Sequence, residues 1–246
     1  MIYERPRYLA GGDRAVFVEF GDAIEPELNR MVMRLHRAIQ QAGMPEVVEA
    51  VPTYRSLLVY YEPSLISPVE LRARLELVSG DAGDGEAHVP IVVEIPTVYG
   101  GEYGPDLEFV AGHNGLSPRE VIDCHVSRAY LIYMLGFMPG FAYLGGMSSR
   151  IATPRMTTPR AKIPAGSVGI AGHQTGIYPA ESPGGWRLIG RTPVELFSVR
   201  RDPAALLAAG DCVRFVPVDV EQFGTICEEV RQGTYRVRST PSLEEE

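Results

Sequence analysis

Glycine and proline recur every few residues in PRAKIPAGSVGIAGHQTGIYPAESPGGWRLIGRTP, which runs from Pro159 to Pro193. Short apolar runs such as Ser167–Ala171 and Trp186–Ile189 stand between them. Glycine permits tight turns and the close approach of neighbouring backbones, and proline fixes the shape of a loop. Many short strands punctuated in this way are typical of a β-barrel or a β-sandwich and not of a parallel sheet.

The rest of the second half, from Ala129 onward, has the same character. Its candidate strands are Tyr130–Leu135, Ser167–Ala171, Trp186–Ile189, Val194–Val199 and Cys212–Val216. A further strand is predicted before them at Val89–Ile95. Ser117 and Glu120 form a capping box that opens a helix, and Pro203–Ala209 and Val220–Val230 have the pattern of two short helices.

The first half reads as a small α/β unit. Ala15–Phe20 alternates apolar and polar residues as a strand does, and an amphipathic helix follows from Glu25. Val47–Val51 and Ser56–Tyr61 are two more strand-like segments, and a second helix opens with a capping box at Ser67. The order strand–helix–strand–strand–helix predicts an open-faced α+β sandwich.

The segment Ser79–His88, SGDAGDGEAH, separates the two halves. It is rich in glycine and acidic residues and contains no large apolar side chain, as an exposed linker would. We therefore predict an N-terminal α+β domain at residues 1–80, a linker at 81–88, a second domain at 89–240 that is a β-barrel or a β-sandwich, and a polar tail at 241–246.

The composition disfavours several classes of partner. The net charge is −8, because 31 acidic residues outnumber 23 lysines and arginines. Binders of nucleic acid or of anionic membranes normally carry a basic surplus. The three cysteines form no CxxC pair, which fits a reducing compartment. The N-terminus carries charges where a signal peptide needs an apolar run, and no apolar stretch approaches the roughly 18 residues of a membrane span. We expect a cytoplasmic protein.

Common motifs of catalysis are missing from the sequence. It contains no GxxxxGK[ST] phosphate loop, no Rossmann GxGxxG, no HExxH and no GxSxG. No two of the five histidines are four residues apart, so no helical ligand pair is present, and we predict surface or capping histidines and no metal site.

Aromatic residues and arginines concentrate in the two glycine-rich stretches, Gly136–Gly146 and Pro159–Pro193. The aromatic residues that would form the wall of an apolar pocket are Phe137, Phe141, Tyr143, Tyr178 and Trp186. The arginines that would hold an anionic group through a bidentate fork are Arg160, Arg187 and Arg191. The structural alternatives are turns that need glycine, core packing for Trp186, and an ordinary solvated surface for any single arginine.

These stretches closely resemble the family of 5-oxoprolinase B subunits, also known as allophanate hydrolase subunit 1 or carboxyltransferase subdomain C/D. The matching motifs are GFMPGFAYL (Gly136–Leu144), PAGSVGIAGHQTGIYP (Pro164–Pro179), SPGGWRLIGRTP (Ser182–Pro193), GDRAVFVEFGD (Gly12–Asp22) and PTYRSLLVYYEP (Pro52–Pro63). The departures are Ile163, where valine is common, and Gly169, where alanine is usual. Neither changes a polar side chain.

The resemblance implies an N-terminal α+β domain followed by a cyclophilin-like β-barrel. It also implies two partners, a homologous C subunit and an A subunit, in a complex that opens 5-oxoproline to glutamate with ATP and magnesium. The family includes a segment of urea carboxylase and an inhibitor of a sporulation histidine kinase. Two alternatives therefore stay open: carboxyl transfer to a urea-like amide, with biotin on a partner chain, and non-enzymatic kinase inhibition.

Under the 5-oxoprolinase hypothesis, Arg160 and Arg191 would contact phosphate or carboxylate. Ser167, Gln174 and the backbone N–H groups of Gly166–Gly169 would orient the substrate. The apolar wall and its surroundings would be formed by Phe137, Pro139, Phe141, Tyr143 and Tyr178. No residue is assigned as nucleophile or general base, so catalysis is expected to need the partner proteins.

Overall fold

The chain divides into two units, Met1–His88 and Val89–Glu246, each with its own hydrophobic core. The computed structural model describes residues 1–81 and 89–241. Most of the predicted linker and the tail beyond Pro241 lie outside the described residues. The segment Ser79–Asp81, which composition placed with the linker, instead forms the last turn of a helix.

The N-terminal unit is an antiparallel sheet with two helices, as predicted. Its strands are β1 (Ile2–Ala10), β2 (Ala15–Gly21), β3 (Val47–Pro52) and β4 (Ser56–Tyr61), in the order β1-β2-β4-β3. Its helices are α1 (Pro26–Ala42) and α2 (Pro68–Asp81). Strand β1 was not predicted, because it is an edge strand with no fully buried residue and therefore shows no apolar alternation.

The C-terminal unit is a closed β-barrel. Its strands are β5 (Ile91–Tyr99), β6 (Ala129–Leu135), β7 (Ala142–Gly145), β8 (Arg160–Ile163), β9 (Ser167–Ala171), β10 (Gln174–Ile177), β11 (Ser182–Gly184), β12 (Arg187–Arg191), β13 (Cys212–Pro217) and β14 (Ser239–Pro241). Seven of them follow the order β12-β9-β10-β7-β6-β13-β5, and pairing of β12 with β5 closes the barrel. The predicted α+β class with a barrel is thus confirmed.

The described part of this unit also contains three further strands and three α-helices. Strand β14 pairs with β5, and β8 and β11 form a separate two-stranded ribbon. The helices are α3 (Leu107–Asn114), α4 (Pro118–Val126) and α5 (Val220–Gln232). The Ser117–Glu120 capping box is present at α4, as the sequence predicts. Within residues 1–81 and 89–241, no helix is long and apolar enough to cross a membrane.

Two predicted elements of the second half are wrong. The segment 194–199 is not a strand and makes only an isolated bridge between Phe197 and Ala205, and the segment 203–209 is not a helix. Leu196 and Leu207 are nevertheless buried in the barrel core. The apolar pattern there reflects burial of a loop against the barrel and not regular backbone hydrogen bonding. Helix α3 was not predicted.

Candidate functional site

The outer face of the barrel carries a second apolar cluster, hereafter the outer cluster. Its buried members are Phe141, Ile163, Ala171, Tyr178, Trp186 and Leu188. Side chains alternate along a strand, so Val168 and Ile170 of β9 enter the barrel core while Ala171 joins the outer cluster. The two glycine-rich stretches of the sequence meet here.

Several glycines of this region are explained by the rings that cover the sheet. A Cβ at Gly169 would lie 3.2 Å from the Trp186 Cβ, and one at Gly176 would lie 3.1 Å from Trp186 Cζ3. A Cβ at Gly184 would lie 2.5 Å from the Tyr178 hydroxyl oxygen. Gly176 and Gly184 are glycine because aromatic side chains approach the backbone closely, and Gly169 lies against Trp186 Cβ and the Arg187 carbonyl oxygen. Close packing of this kind explains the glycines without a ligand.

The predicted aromatic residues come together, but they form a closed packing unit and not the wall of an open pocket. Phe141 lies at the centre, with ring centroids 5.1 Å from Tyr143, 5.9 Å from Trp186 and 6.0 Å from Tyr178, all edge-to-face. Phe141, Tyr178 and Trp186 are at most 8% exposed. Such pairs stabilise a core beyond the area they bury. A ligand cannot enter between these three rings without moving them.

Phe137 differs from the rest of the aromatic set because it points out of the cluster. It lies in the hairpin between β6 and β7, is 71% exposed, and touches Phe141 edge-to-face at 5.7 Å. Its φ is 69°, and within the described ranges it is the only non-glycine residue with a positive φ. Pro139 of the same hairpin is also exposed. An exposed aromatic ring on strained backbone is a feature found at functional sites.

Arg160 is held by an acidic residue that the sequence analysis missed. Its terminal nitrogens lie 2.8 and 2.9 Å from the two carboxylate oxygens of Asp106, which is 6% exposed. Asp106 also accepts a hydrogen bond of 2.7 Å from the Leu188 N–H. The fork of Arg160, predicted to contact a ligand anion, is therefore occupied by a carboxylate 54 positions away. Asp106 directly precedes α3, a helix that was not predicted, so no sequence signal singled it out.

Arg187 approaches the same carboxylate more loosely. Its Nη1 lies 3.9 Å from the Asp106 Oδ1, and its guanidinium carbon lies 3.7 Å from the centre of the Phe109 ring. Asp106 thus brings two of the three predicted arginines together. Arg191 has other neighbours: its guanidinium carbon is 5.9 Å from the Tyr103 ring centre.

Gly166 and Ser167 are hydrogen-bonded to other parts of the chain. The Gly166 N–H donates to the Tyr178 carbonyl at 2.7 Å, and the Ser167 hydroxyl donates to the Pro164 carbonyl at 2.7 Å. Ser167 is 1% exposed, and Gln174 is half-buried at the start of β10. The donors expected to orient a substrate at Gly166 and Ser167 are used within the chain, where they shape the turn entering β9.

A polar chain inside the barrel corrects the interpretation of one histidine. His125 is fully buried, with Nδ1 2.8 Å from the Tyr99 hydroxyl and Nε2 2.8 Å from the Thr175 hydroxyl. Thr175 donates to the Gly169 carbonyl at 3.1 Å, so Nε2 carries the proton and Tyr99 donates to Nδ1. Desolvation lowers the pKa of His125 to about 3. His125 is therefore a neutral core residue and not a surface or capping one.

No group of three or more His, Cys, Asp or Glu side chains in the described part of the chain is arranged to hold a metal ion. A cavity of about 340 Å³ lies in the N-terminal unit, between α1 and β3. It is lined by His36, Ile39, Gln40, Gly43, Met44 and residues 47–50. None of the residues predicted for the site contributes to it.

Comparison with known proteins places this architecture in a family. Curated relatives named as the B subunit of 5-oxoprolinase are 45% identical over 228 residues in Bacillus subtilis (strain 168) and 41% identical over 216 residues in Escherichia coli O157:H7. These matches cover 89% and 87% of this chain and 95% and 97% of the relatives.

Solved structures share the fold. TTHA0988 superposes with a TM-score of 0.75 at 37% identity, over 84% of this chain and 40% of that longer chain. The urea amidolyase of K. lactis superposes with a TM-score of 0.77 at 23% identity, over 96% of this chain and 16% of that chain. Residues 6–207 match the family described as "Carboxyltransferase domain, subdomain C and D". The chain belongs to the carboxyltransferase subdomain C and D family.

Proposed function

We propose that this chain is the B subunit of an ATP-dependent 5-oxoprolinase complex, which hydrolyses 5-oxoproline to L-glutamate. The observation that carries the proposal is the near full-length match to two relatives that bear this name, at 45% and 41% identity. The urea amidolyase of Saccharomyces cerevisiae is 24% identical, and the match covers 14% of its length.

The chemistry of the proposed reaction fits a shared site better than an isolated chain. An unstrained lactam resists hydrolysis, and ATP would supply the driving force by phosphorylating the carbonyl oxygen. The pocket must then tolerate anions and control access of water. This chain offers arginines beside a rigid aromatic cluster, but Ser167 and His125 are both buried and hydrogen-bonded inside the fold. A nucleophile or base from the A or the C subunit would complete the site.

The exposed part of the β6–β7 hairpin could form part of a site that this chain shares with a partner subunit. Phe137 and Pro139 present an apolar surface that the buried rings beneath them hold in place. We expect this surface to lie against substrate or a partner protein in the complex, while the outer cluster serves as its rigid support.

The test is to purify the chain with its native partners and to assay ATP-dependent release of glutamate from 5-oxoproline. Glutamate formed by the complex, and not by the chain alone, would support the proposal. An intact complex that forms no glutamate would refute it.

Carboxyl transfer to a urea-like amide is the second candidate, favoured by the family description, which names a carboxyltransferase domain. The likeness to the urea amidolyase of K. lactis, at 23% identity, shows the fold alone. The biotin carrier would have to lie on another chain, so a biotinylated partner on an avidin blot of the native complex would favour this candidate. If the chain is recovered without partners, kinase inhibition becomes the function to test. The measurement is autophosphorylation of the kinase with this protein in excess.

A further inference from the structure

Arg187 is an arginine whose charge the protein leaves partly unsatisfied. Its side chain is 16% exposed and lies over the Phe109 ring at 3.7 Å. Its Nε is buried and has no hydrogen-bond partner in the part of the chain that the structure describes. Its nearest carboxylate oxygen, Asp106 Oδ1, is 3.9 Å from Nη1, which exceeds hydrogen-bond distance.

The two arginines and the one carboxylate grouped here carry a net charge of +1. Asp106 contributes one negative charge and is already committed to Arg160 at 2.8 and 2.9 Å and to the Leu188 N–H at 2.7 Å. Arg160 and Arg187 each contribute a positive charge. A mostly buried guanidinium without a paired hydrogen-bond acceptor is costly unless an anion arrives to complete it. Arg160 is in this sense structural, and Arg187 is available.

We propose that Arg187 binds the carboxylate of the lactam substrate. A guanidinium presents parallel N–H donors that match the two oxygens of a carboxylate, and the Phe109 ring packs against its face at 3.7 Å. The choice of a lactam carboxylate rests on the proposed function. The presence of an anion subsite at Arg187 rests on the geometry alone.

The test compares two ligands that differ only in the carboxylate, 5-oxoproline and 2-pyrrolidinone. Binding of each is measured by equilibrium dialysis on the complex purified with its native partners, without ATP. We expect the wild-type complex to bind 5-oxoproline more tightly. Arg187→Met should weaken 5-oxoproline binding about tenfold or more and leave 2-pyrrolidinone binding unchanged, because a charged hydrogen-bonded pair is lost. The affinity of Arg187→Lys for 5-oxoproline should lie between those of the wild type and Arg187→Met. Lysine keeps the positive charge but lacks the paired N–H donors of the guanidinium.

Arg200→Met, a change at an exposed arginine of the same unit, is the matched control and should bind 5-oxoproline as the wild type does. Retention of partners and an unchanged melting temperature would show that each variant is folded. If Arg187→Met does not fold, Arg187→Lys replaces it in the comparison. Equal 5-oxoproline affinity in wild type and both Arg187 variants would overturn the proposal. So would equal affinity of the wild type for the two ligands.

Kinetics separate failure of this proposal from failure of the proposed function. If the wild-type complex releases glutamate while Arg187→Met leaves the KM for 5-oxoproline unchanged, the carboxylate role of Arg187 is wrong and the 5-oxoprolinase function stands. If the wild-type complex releases no glutamate, the proposed 5-oxoprolinase function is wrong. The dialysis result then still decides whether Arg187 binds a carboxylate. The supporting kinetic result is a KM raised about tenfold with a smaller change in kcat.

Discussion

Single residues hold distant segments of the C-terminal unit together, and Asp106 is the main example. Its carboxylate joins Arg160 of β8 to the backbone of β12, so a single negative charge ties together segments that are far apart in the chain. We expect Asp106→Asn to lower the free energy of unfolding by about 3 kcal/mol, because two partly buried guanidinium groups would lose their counter-ion. Urea denaturation measures this.

The control for that variant is Glu108→Gln, which removes an exposed acidic residue two positions further on, in the first turn of α3. Its unfolding midpoint should stay close to that of the wild type. Equal midpoints for the two variants would show that the Asp106–Arg160 pair contributes no net stability.

His125 predicts a dependence of stability on pH. Burial lowers its pKa to about 3 in the folded protein, against 6.5 as the ordinary value. Below pH 6.5 the imidazole of His125 is protonated in the unfolded chain but stays neutral in the folded chain. The free energy of unfolding therefore decreases as the pH falls towards 3. From this residue we expect a loss of about 2 kcal/mol between pH 7 and pH 5.

The measurement is the free energy of unfolding at several pH values for wild type and His125→Gln. The variant should be less stable at pH 7 but show a shallower decline on acidification. His173→Gln, at an exposed position, should keep the wild-type slope. An unchanged slope in His125→Gln would contradict burial of a neutral imidazole.

At the scale of elements, the β6–β7 hairpin combines two aromatic residues with opposite roles. Phe137 is 71% exposed with a φ of 69°, whereas Phe141 is 3% exposed. We expect Phe137→Gly to leave stability unchanged or raise it by up to about 1 kcal/mol, since glycine adopts this backbone without strain. Phe141→Ala should cost about 3–5 kcal/mol through the cavity it leaves. Thermal or urea unfolding distinguishes them.

Activity should respond in the opposite sense to stability in Phe137→Gly. If the hairpin surface meets substrate or a partner, this variant should release less glutamate, or retain less partner on purification, while remaining fully folded. A fully active and fully assembled Phe137→Gly complex would remove the hairpin from the proposed site.

The packing of Trp186 on the sheet is an element-scale property that its fluorescence can report, because it is the single tryptophan of the chain. Gly176→Ala would place a Cβ 3.1 Å from its ring and 3.5 Å from Phe141. We expect a loss of about 1–2 kcal/mol and a shifted emission maximum, since a packed cluster must move to accept the methyl group.

Gly112→Ala provides the matched comparison. Gly112 lies in α3, and a Cβ there meets nothing within 4 Å. The same change should raise stability by up to about 1 kcal/mol, through helix propensity, without altering the fluorescence. Equal behaviour of the two variants would contradict close approach of Trp186 to β10.

Local patterns predicted most elements, for an identifiable reason. Helices α1, α2, α4 and α5 are indicated by apolar periodicity and capping residues, and these signals involve only near neighbours in the chain. The patterns failed for segments that are buried without pairing in a sheet, and for strands that pair in a sheet without being buried. The segment 194–199 is apolar because it covers the barrel, and β1 is a true strand that buries none of its residues fully.

At the scale of the whole molecule, the amino-acid sequence was enough to predict the two-part α+β architecture, the barrel and, through long motifs, the family. It also placed Phe137, Phe141, Tyr143 and Tyr178 in one region, because glycine-rich turns and aromatic residues concentrate there. The two-part α+β architecture follows from composition, spacing and local preference, which are properties of contiguous segments. The family, and the choice of a barrel over a sandwich, follow from the resemblance of the long motifs.

What those residues do became visible only in the folded chain. Folding closed the rings of Phe141, Tyr178 and Trp186 on one another and paired Arg160 with Asp106. It also left Arg187 with an unpaired nitrogen, among the described residues, and buried His125 in the barrel. Each outcome depends on contacts between segments that are far apart in the chain, as the pairs Arg160–Asp106 and His125–Thr175 show. Charge pairing and desolvation act through space, so no pattern of neighbours along the chain could predict them.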